Sequence, residues 1–398
     1  MWIYNVDRIG TICRDLVHYF VNPILMKQRA NFSVALTAIF VILVMLACQT
    51  KAVRTEEPVN ADGLKPEATP KNTEPITIAA VGDIMMGSPY PNDSRMPPND
   101  GADLLKGVTP ILSAADIAFG NLEGPMVDGG VSTKCGASRG NCYAFRVPTR
   151  YGKYLKEAGF DVMSVANNHA GDFGEPGRAS TRKVLDDLGI KYAGSDAGTY
   201  STTFLDARGK RVALIGFGHN GGMPNVNDLD NARRLVLEAK KKADIVIVSF
   251  HGGGEGTDHQ HVRNQSEIFL GENRGNLPAF THTVIDAGAS LVLGHGPHVM
   301  RGMEMYKDRL IVYSRGNFCT YGWFTLAAET ALSEIVEIKI DSIGKFISGK
   351  IHAGKQDGRG GPVLDGTGAS IRVVRGLSIA NFGPNAPNIA DDGTVTPK

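Results

Sequence analysis

The chain has little net charge, little cysteine and little tryptophan. Its 42 basic and 41 acidic residues leave a net charge of +1, so the basic face with which nucleic-acid binders neutralise phosphates is missing and no nucleic-acid partner is expected. Five cysteines in 398 residues are too few for a disulfide-built scaffold. Charged residues at 21% against hydrophobic residues at 42% exclude a chain that is disordered throughout. What is plentiful is glycine, 48 residues or roughly 12% against a usual ~7%, the mark of many tight loops between short elements.

Long apolar runs are equally scarce, and the exception lies near the N-terminus. Residues 32–48 (FSVALTAIFVILVMLAC) are almost wholly apolar; at ~1.5 Å per residue they span about 26 Å, close to the hydrocarbon thickness of a bilayer. Lys27 and Arg29 precede the run, which places the extension 1–31 in the cytoplasm and the remainder outside, membrane-anchored in the cell envelope. Two readings fit. Met45-Leu46-Ala47-Cys48 resembles the end of a bacterial lipoprotein signal peptide, with lipid carried by Cys48. Alternatively, the segment stays uncleaved as a plain anchor. Residues 49–75 hold Pro58, Pro66, Pro70 and Pro75 with mixed charge, the composition of a disordered tether. The folded domain is expected over 76–375 and a C-terminal tail over 376–398.

Within the domain, apolar β-branched runs at 76–81, 116–119, 162–165, 212–217, 245–250 and 291–293 alternate with amphipathic stretches at 151–158, 175–188, 231–242 and 280–287. Such alternation predicts an α/β fold with a buried, layered sheet. After Met300 the runs at 310–314, 332–340 and 346–351 follow without helices, which predicts a strand-rich second half packed on the first.

The polar residues with chemistry collect where these strands end. The runs lead into Gly82-Asp83, into Gly120-Asn121-Leu122-Glu123, into Asn167-Asn168-His169, into His251-Gly252-Gly253-Gly254-Glu255 and into Gly294-His295-Gly296-Pro297-His298. In an open α/β sheet, ligands bind at the carboxyl ends of strands. An all-oxygen and nitrogen set suits a divalent cation such as Mn, Fe or Zn. Asp83, Asn121, Glu123, Asn168, His251, His295 and His298 are therefore the candidate metal ligands. His169 and His251 are the candidate catalytic acids. His219, His282 and His352 are expected to be structural. Cys135 and Cys142 flank a Gly/Ser/Arg/Asn loop and are expected to pair outside the cytoplasm.

The ordered motifs GDIMMG, GNLEGP, SVANNHAGDFG, SFHGGGE, GASLVLGHGPHV and VYSRGNF resemble the bacterial capsule-synthesis family of the CapA type, the poly-γ-glutamate biosynthesis proteins. The resemblance runs from about Ile76 to Phe318. It implies a four-layer α/β/β/α sandwich of the metallophosphoesterase type, one or two metal ions, and substrate contacts from Glu255 and Asn317. It also implies an anionic polymer such as poly-γ-glutamate, with membrane-embedded capsule synthase subunits as partners. Four positions depart from the pattern: Met85 and Gly296 where His is usual, Asn121 where a bridging acid is usual, and Gly252 where Trp is usual. Two functions stay open on the sequence, a metal-dependent hydrolase and a non-catalytic subunit of polymer synthesis, export or retention.

Overall fold

The computed structural model describes residues 74–135, 142–196 and 198–398. The apolar segment 32–48, Cys48 and the tether up to residue 73 lie outside the described residues.

The strand Ile76–Met85 shows how the layers arise, because successive side chains of a strand point to opposite faces. Ile76, Ile78 and Ala80 enter one core together with Val212, Leu214, Ile245, Ile247, Leu291 and Leu293. Ala79 and Val81, one step out of phase, enter a second core with Tyr154, Leu155 and Leu185. The second sheet alternates in the same way: Ala213, Ile215, Val246, Val248 and Val292 form a third core with Ala232, Val236, Phe280 and Val284. Both faces of both sheets are thus apolar, which is why the strands read as continuous hydrophobic runs.

The layer order follows from these cores. Helices Gly152–Glu157 and Gly174–Asp187 cover the outer face of the first sheet, the two sheets share the middle core, and helices Leu229–Lys240 and Leu277–Asp286 cover the second. This is the expected α/β/β/α sandwich. Asp228 and Asn276 cap the latter two helices by accepting from Asn231 N and Ala279 N, an arrangement that commonly contributes about 1 kcal/mol.

In the first sheet, Ile76–Met85, Ile117–Leu122, Val162–Ser164 and Lys191–Ala193 run parallel. In the second, Lys210–Gly218, Ile245–His251, Leu291–His295 and Arg309–Val312 do the same. Their carboxyl ends carry the motif loops.

Two expectations are corrected. The strands after Met300 are not a separate half: Leu332–Ile340 pairs antiparallel with Ile76–Met85 (Ile78 opposite Ile338), and Phe346–Asp357 pairs with Leu332–Ile340, so both extend the first sheet. Nor are residues 376–398 a tail. The helix Ala369–Phe382 sends Ile371 and Val374 into the core between the sheets, and Thr394–Thr396 pairs with Phe346–Asp357 through Val395 opposite Gly349. The Asn, Gly and Pro after Phe382 end that helix and turn the chain into an edge hairpin.

Candidate metal site at the facing strand ends

The backbone brings the motif residues together before any side chain is considered. Asp83 stands opposite both Asn121 and Asn317 on its two neighbouring strands, with register shifts beside it. Asp83 N donates to Gly316 O at 3.0 Å. This approach needs Gly82, where a Cβ would lie 2.0 Å from Gly316 O. In the second sheet His251 stands opposite His295. His298 then adopts φ 58°, a left-handed conformation that a non-glycine residue rarely takes outside turns and functional sites.

The buried centre is a cluster of carboxylates and imidazoles. Ligand atoms of Asp83, Glu123 and His298 all lie within 4.8 Å of one another. Asp83 Oδ1 is 3.2 Å from His295 Nδ1, and Asp83 Oδ2 is 3.0 Å from His298 Nδ1. Burial would raise the Asp83 carboxyl, but the hydrogen bonds and charges of His295 and His298 outweigh it and hold it well below the usual range. Burial raises Glu123 to about 8. For His298 burial opposes the charge, yet Glu123 and Asp83 beside it raise the imidazolium to about 10. Burial, with the nearby Arg315 charge, lowers His295 to about 4.

His251 is buried and neither ring nitrogen has a hydrogen-bond partner; burial holds it well below the ordinary histidine value, hence neutral. Both oxygens of Glu123 and Asn168 Oδ1 are likewise buried without hydrogen bonds. Each such group costs about 1–3 kcal/mol when left unsatisfied. Lone pairs of this kind, all oxygen and nitrogen, are what a divalent cation needs, so the residues present fit one.

The third motif forms the outer wall. His169 Nδ1 lies 2.7 Å from Asp172 Oδ2, and Phe145 stacks on the ring at 3.7 Å between centroids. Burial lowers His169, so the neutral ring is favoured although Asp172 pulls the other way. Lys134 Nζ reaches Asn168 O and His169 Nδ1, both at 3.2 Å, and Asp172 Oδ1 at 3.4 Å.

Of the sequence-predicted residues, Asp83, Glu123, His295 and His298 meet in one cluster, and the His251 ring lies 6.3 Å from that of His298. Asn121 has a different post: its amide donates to Asp83 Oδ1 at 2.8 Å and accepts from Asn167 at 3.2 Å. His295 holds Asp83 through one nitrogen and meets Arg315 with the other. Asn317 Oδ1 lies 3.1 Å from His298 Nδ1. Glu255 is tied to buried Arg274. Cys135 and Cys142 form a disulfide with a Cα separation of 5.7 Å. His219, expected to be structural, is buried with its ring 5.9 Å from that of His251, its Nδ1 3.3 Å from the His251 carbonyl oxygen. His282 pairs with Glu304 away from the cluster.

Sequence reasoning missed Lys134, Asn167, Asp172 and Arg315. Asp172 carried the best signal, standing three residues after His169 in a Gly-bounded loop. The departures at Gly252 and Gly296 have a steric reason: a Cβ at 252 would lie 2.7 Å from Arg274 O, and Gly296 has φ 113° with Gly252 O at 2.8 Å from its would-be Cβ.

Fold and site together define a four-layer α/β protein with a buried carboxylate–imidazole pocket where two sheets present their strand ends. Residues 77–321 match the family described as bacterial capsule synthesis protein PGA_cap, and the chain belongs to that family. It is 28% identical over 328 residues to the capsule biosynthesis protein CapA of Bacillus anthracis, covering 77% of this chain and 74% of that one. It is 27% identical to the PGA biosynthesis protein CapA of Bacillus subtilis, covering 80% of each. Among solved structures it is similar to a 5′-nucleotidase precursor from Thermus thermophilus, with TM-score 0.39, 13% identity, and coverage of 74% of this chain and 55% of that one.

Proposed function

We propose that the protein is a metal-dependent hydrolase of capsule or polyglutamate synthesis, held at the outer side of the membrane by residues 32–48 or by lipid on Cys48. The observation that carries this reading is the set of buried donors without hydrogen bonds at the strand ends, His251 and Glu123 above all. Asp83, Glu123, Asn168, His251 and His298 would hold the ion. A divalent cation held there supplies Lewis-acid polarisation of a phosphoryl or carbonyl oxygen.

The chain's own residues supply the rest. The 2.7 Å contact with Asp172 keeps the His169 proton on Nδ1, leaving the Nε2 lone pair to take a proton from the attacking water and pass it on to the leaving group. Asn121 holds Asp83 in one rotamer. The substrate class is a phosphoester or the amide of an anionic polymer, handled beside membrane-embedded synthase subunits.

A second reading, a non-catalytic subunit, is favoured by one observation: buried Arg315 donates to His295 and to Val81 O, so a fixed cation already sits against part of the predicted ligand set. Hydrolysis separates the two. Purified full-length protein with Mn, Zn or Fe should cleave bis-p-nitrophenyl phosphate or a γ-linked glutamate oligomer, and His169→Ala should lower the rate by about 10²–10⁴. No turnover of either compound with any of the three metals supports the non-catalytic reading.

A further inference from the structure

We propose that Lys134 is the residue that grips the substrate's anionic group, and that the Cys135–Cys142 disulfide holds it over the pocket. The proposal rests on the reading of the strand-end cluster as the working site.

An ammonium has three N–H groups. Lys134 Nζ donates to Asn168 O at 3.2 Å and faces Asp172 Oδ1 at 3.4 Å. His169 Nδ1, also at 3.2 Å, is no acceptor, because its proton goes to Asp172 Oδ2 at 2.7 Å. One N–H is therefore left for a ligand, on a side chain that is 34% exposed.

The pocket holds the carboxylates of Asp83 and Asp172, which repel an anion, and its one buried imidazolium, His298, is already engaged by Asp83 and Glu123. The arginines nearby are committed: Arg315 to His295 and Val81 O, Arg301 to Glu267, and Arg274 to Glu255 and Glu272. Lys134 is a cation at the third motif that remains partly open to solvent; Arg178, packed against Gly171 and Gly222 with its Nε unpaired, is a second one on the far side of that loop.

A free lysine side chain loses rotamer freedom when fixed, and a backbone already held in place leaves less to be ordered on binding. Ser132 Oγ donates to Asp172 O at 3.0 Å and accepts from the N–H groups of Lys134 and Cys135, each at 3.2 Å. Thr133 N donates to the same Asp172 carbonyl at 2.9 Å. On the far side Phe145 N donates to Asp172 Oδ2 at 2.7 Å while its ring stacks on His169. The disulfide joins these two segments, one residue beyond Lys134 and three before Phe145. The result is a closed ring of chain around Asp172.

The ligand chemistry is an oxyanion, phosphoryl or carboxylate. The test is calorimetric binding of inorganic phosphate and, separately, of a γ-linked glutamate oligomer to the full-length protein, beside its metal content. Lys134→Met should weaken the probe that binds by about tenfold or more, Lys134→Arg should stay within about threefold, and Cys135→Ser combined with Cys142→Ser should weaken it several-fold. All three variants should keep the wild-type metal content. Dependence of phosphate binding on Lys134 assigns a phosphoryl substrate; dependence of oligomer binding assigns carboxylates. Unchanged binding in Lys134→Met, or no binding of either probe by the wild type, overturns the proposal. Unchanged binding in the double serine variant overturns the role of the disulfide. Absence of metal and of hydrolysis would overturn the hydrolase reading, whereas the comparison of probe binding across variants stands without either.

Discussion

Asp172 Oδ2 sits 2.7 Å from His169 Nδ1, and that bond decides which ring nitrogen of His169 is free for chemistry. The carboxyl also accepts from Phe145 N at 2.7 Å, so it is fixed from two sides. A histidine bonded in this way presents Nε2 with its lone pair, the form that accepts or relays a proton.

Asp172→Ala should therefore lower the hydrolytic rate by about tenfold or more with metal content unchanged, because nothing then holds the Nδ1 proton or the orientation of the ring. Steady-state kinetics with metal analysis check this. A rate within twofold of wild type would remove Asp172 from the mechanism.

The parallel strands were legible in the sequence because both of their faces are buried, which leaves unbroken runs such as 212–217 and 245–250. The clustering of Asp83, Glu123, His295 and His298 was legible because their runs end in glycine-flanked acidic residues and histidines. Arg315 was not. Its side chain enters a fully buried position against His295 and Val81 O, and an arginine in a polar loop carries no local signal of burial. The pairing of Ile76–Met85 with Leu332–Ile340 was equally hidden, since register across about 250 residues is a tertiary fact. The C-terminal hairpin was misread because turn residues and tail residues share a composition.

Cys319 is a buried free thiol, and burial pushes it up to about 12. In native protein at pH 8 it should resist iodoacetamide, and it should alkylate fully once unfolded. Cys135 and Cys142 should label only after reduction. Peptide mapping of the full-length protein reads all three; rapid native labelling of Cys319 would contradict its placement.

Glu334 is buried with neither carboxyl oxygen hydrogen-bonded. Burial raises it to about 8 although Arg315 pulls it down. An unfolded glutamate titrates near 4.3, so between about pH 4.5 and 8 the native state holds a proton that the unfolded state has lost. This group's contribution is present below that window and is lost as pH rises through it, at a slope of at most about 1.4 kcal/mol per pH unit. Glu334→Gln should flatten the fall. Urea midpoints from pH 5 to 8 for both proteins measure it; parallel curves would refute the assignment.

Metal stoichiometry on the full-length protein tests most directly whether the strand-end cluster is a divalent-metal pocket. Dialysed against chelex-treated buffer after loading with Mn, Zn or Fe, the wild type should retain one or two ions per chain. Asp83→Ala and His251→Ala should each lose at least one, with thermal melts still cooperative. Retention of the full complement by both variants, or no bound metal in a folded wild type with any of the three ions, would contradict the account.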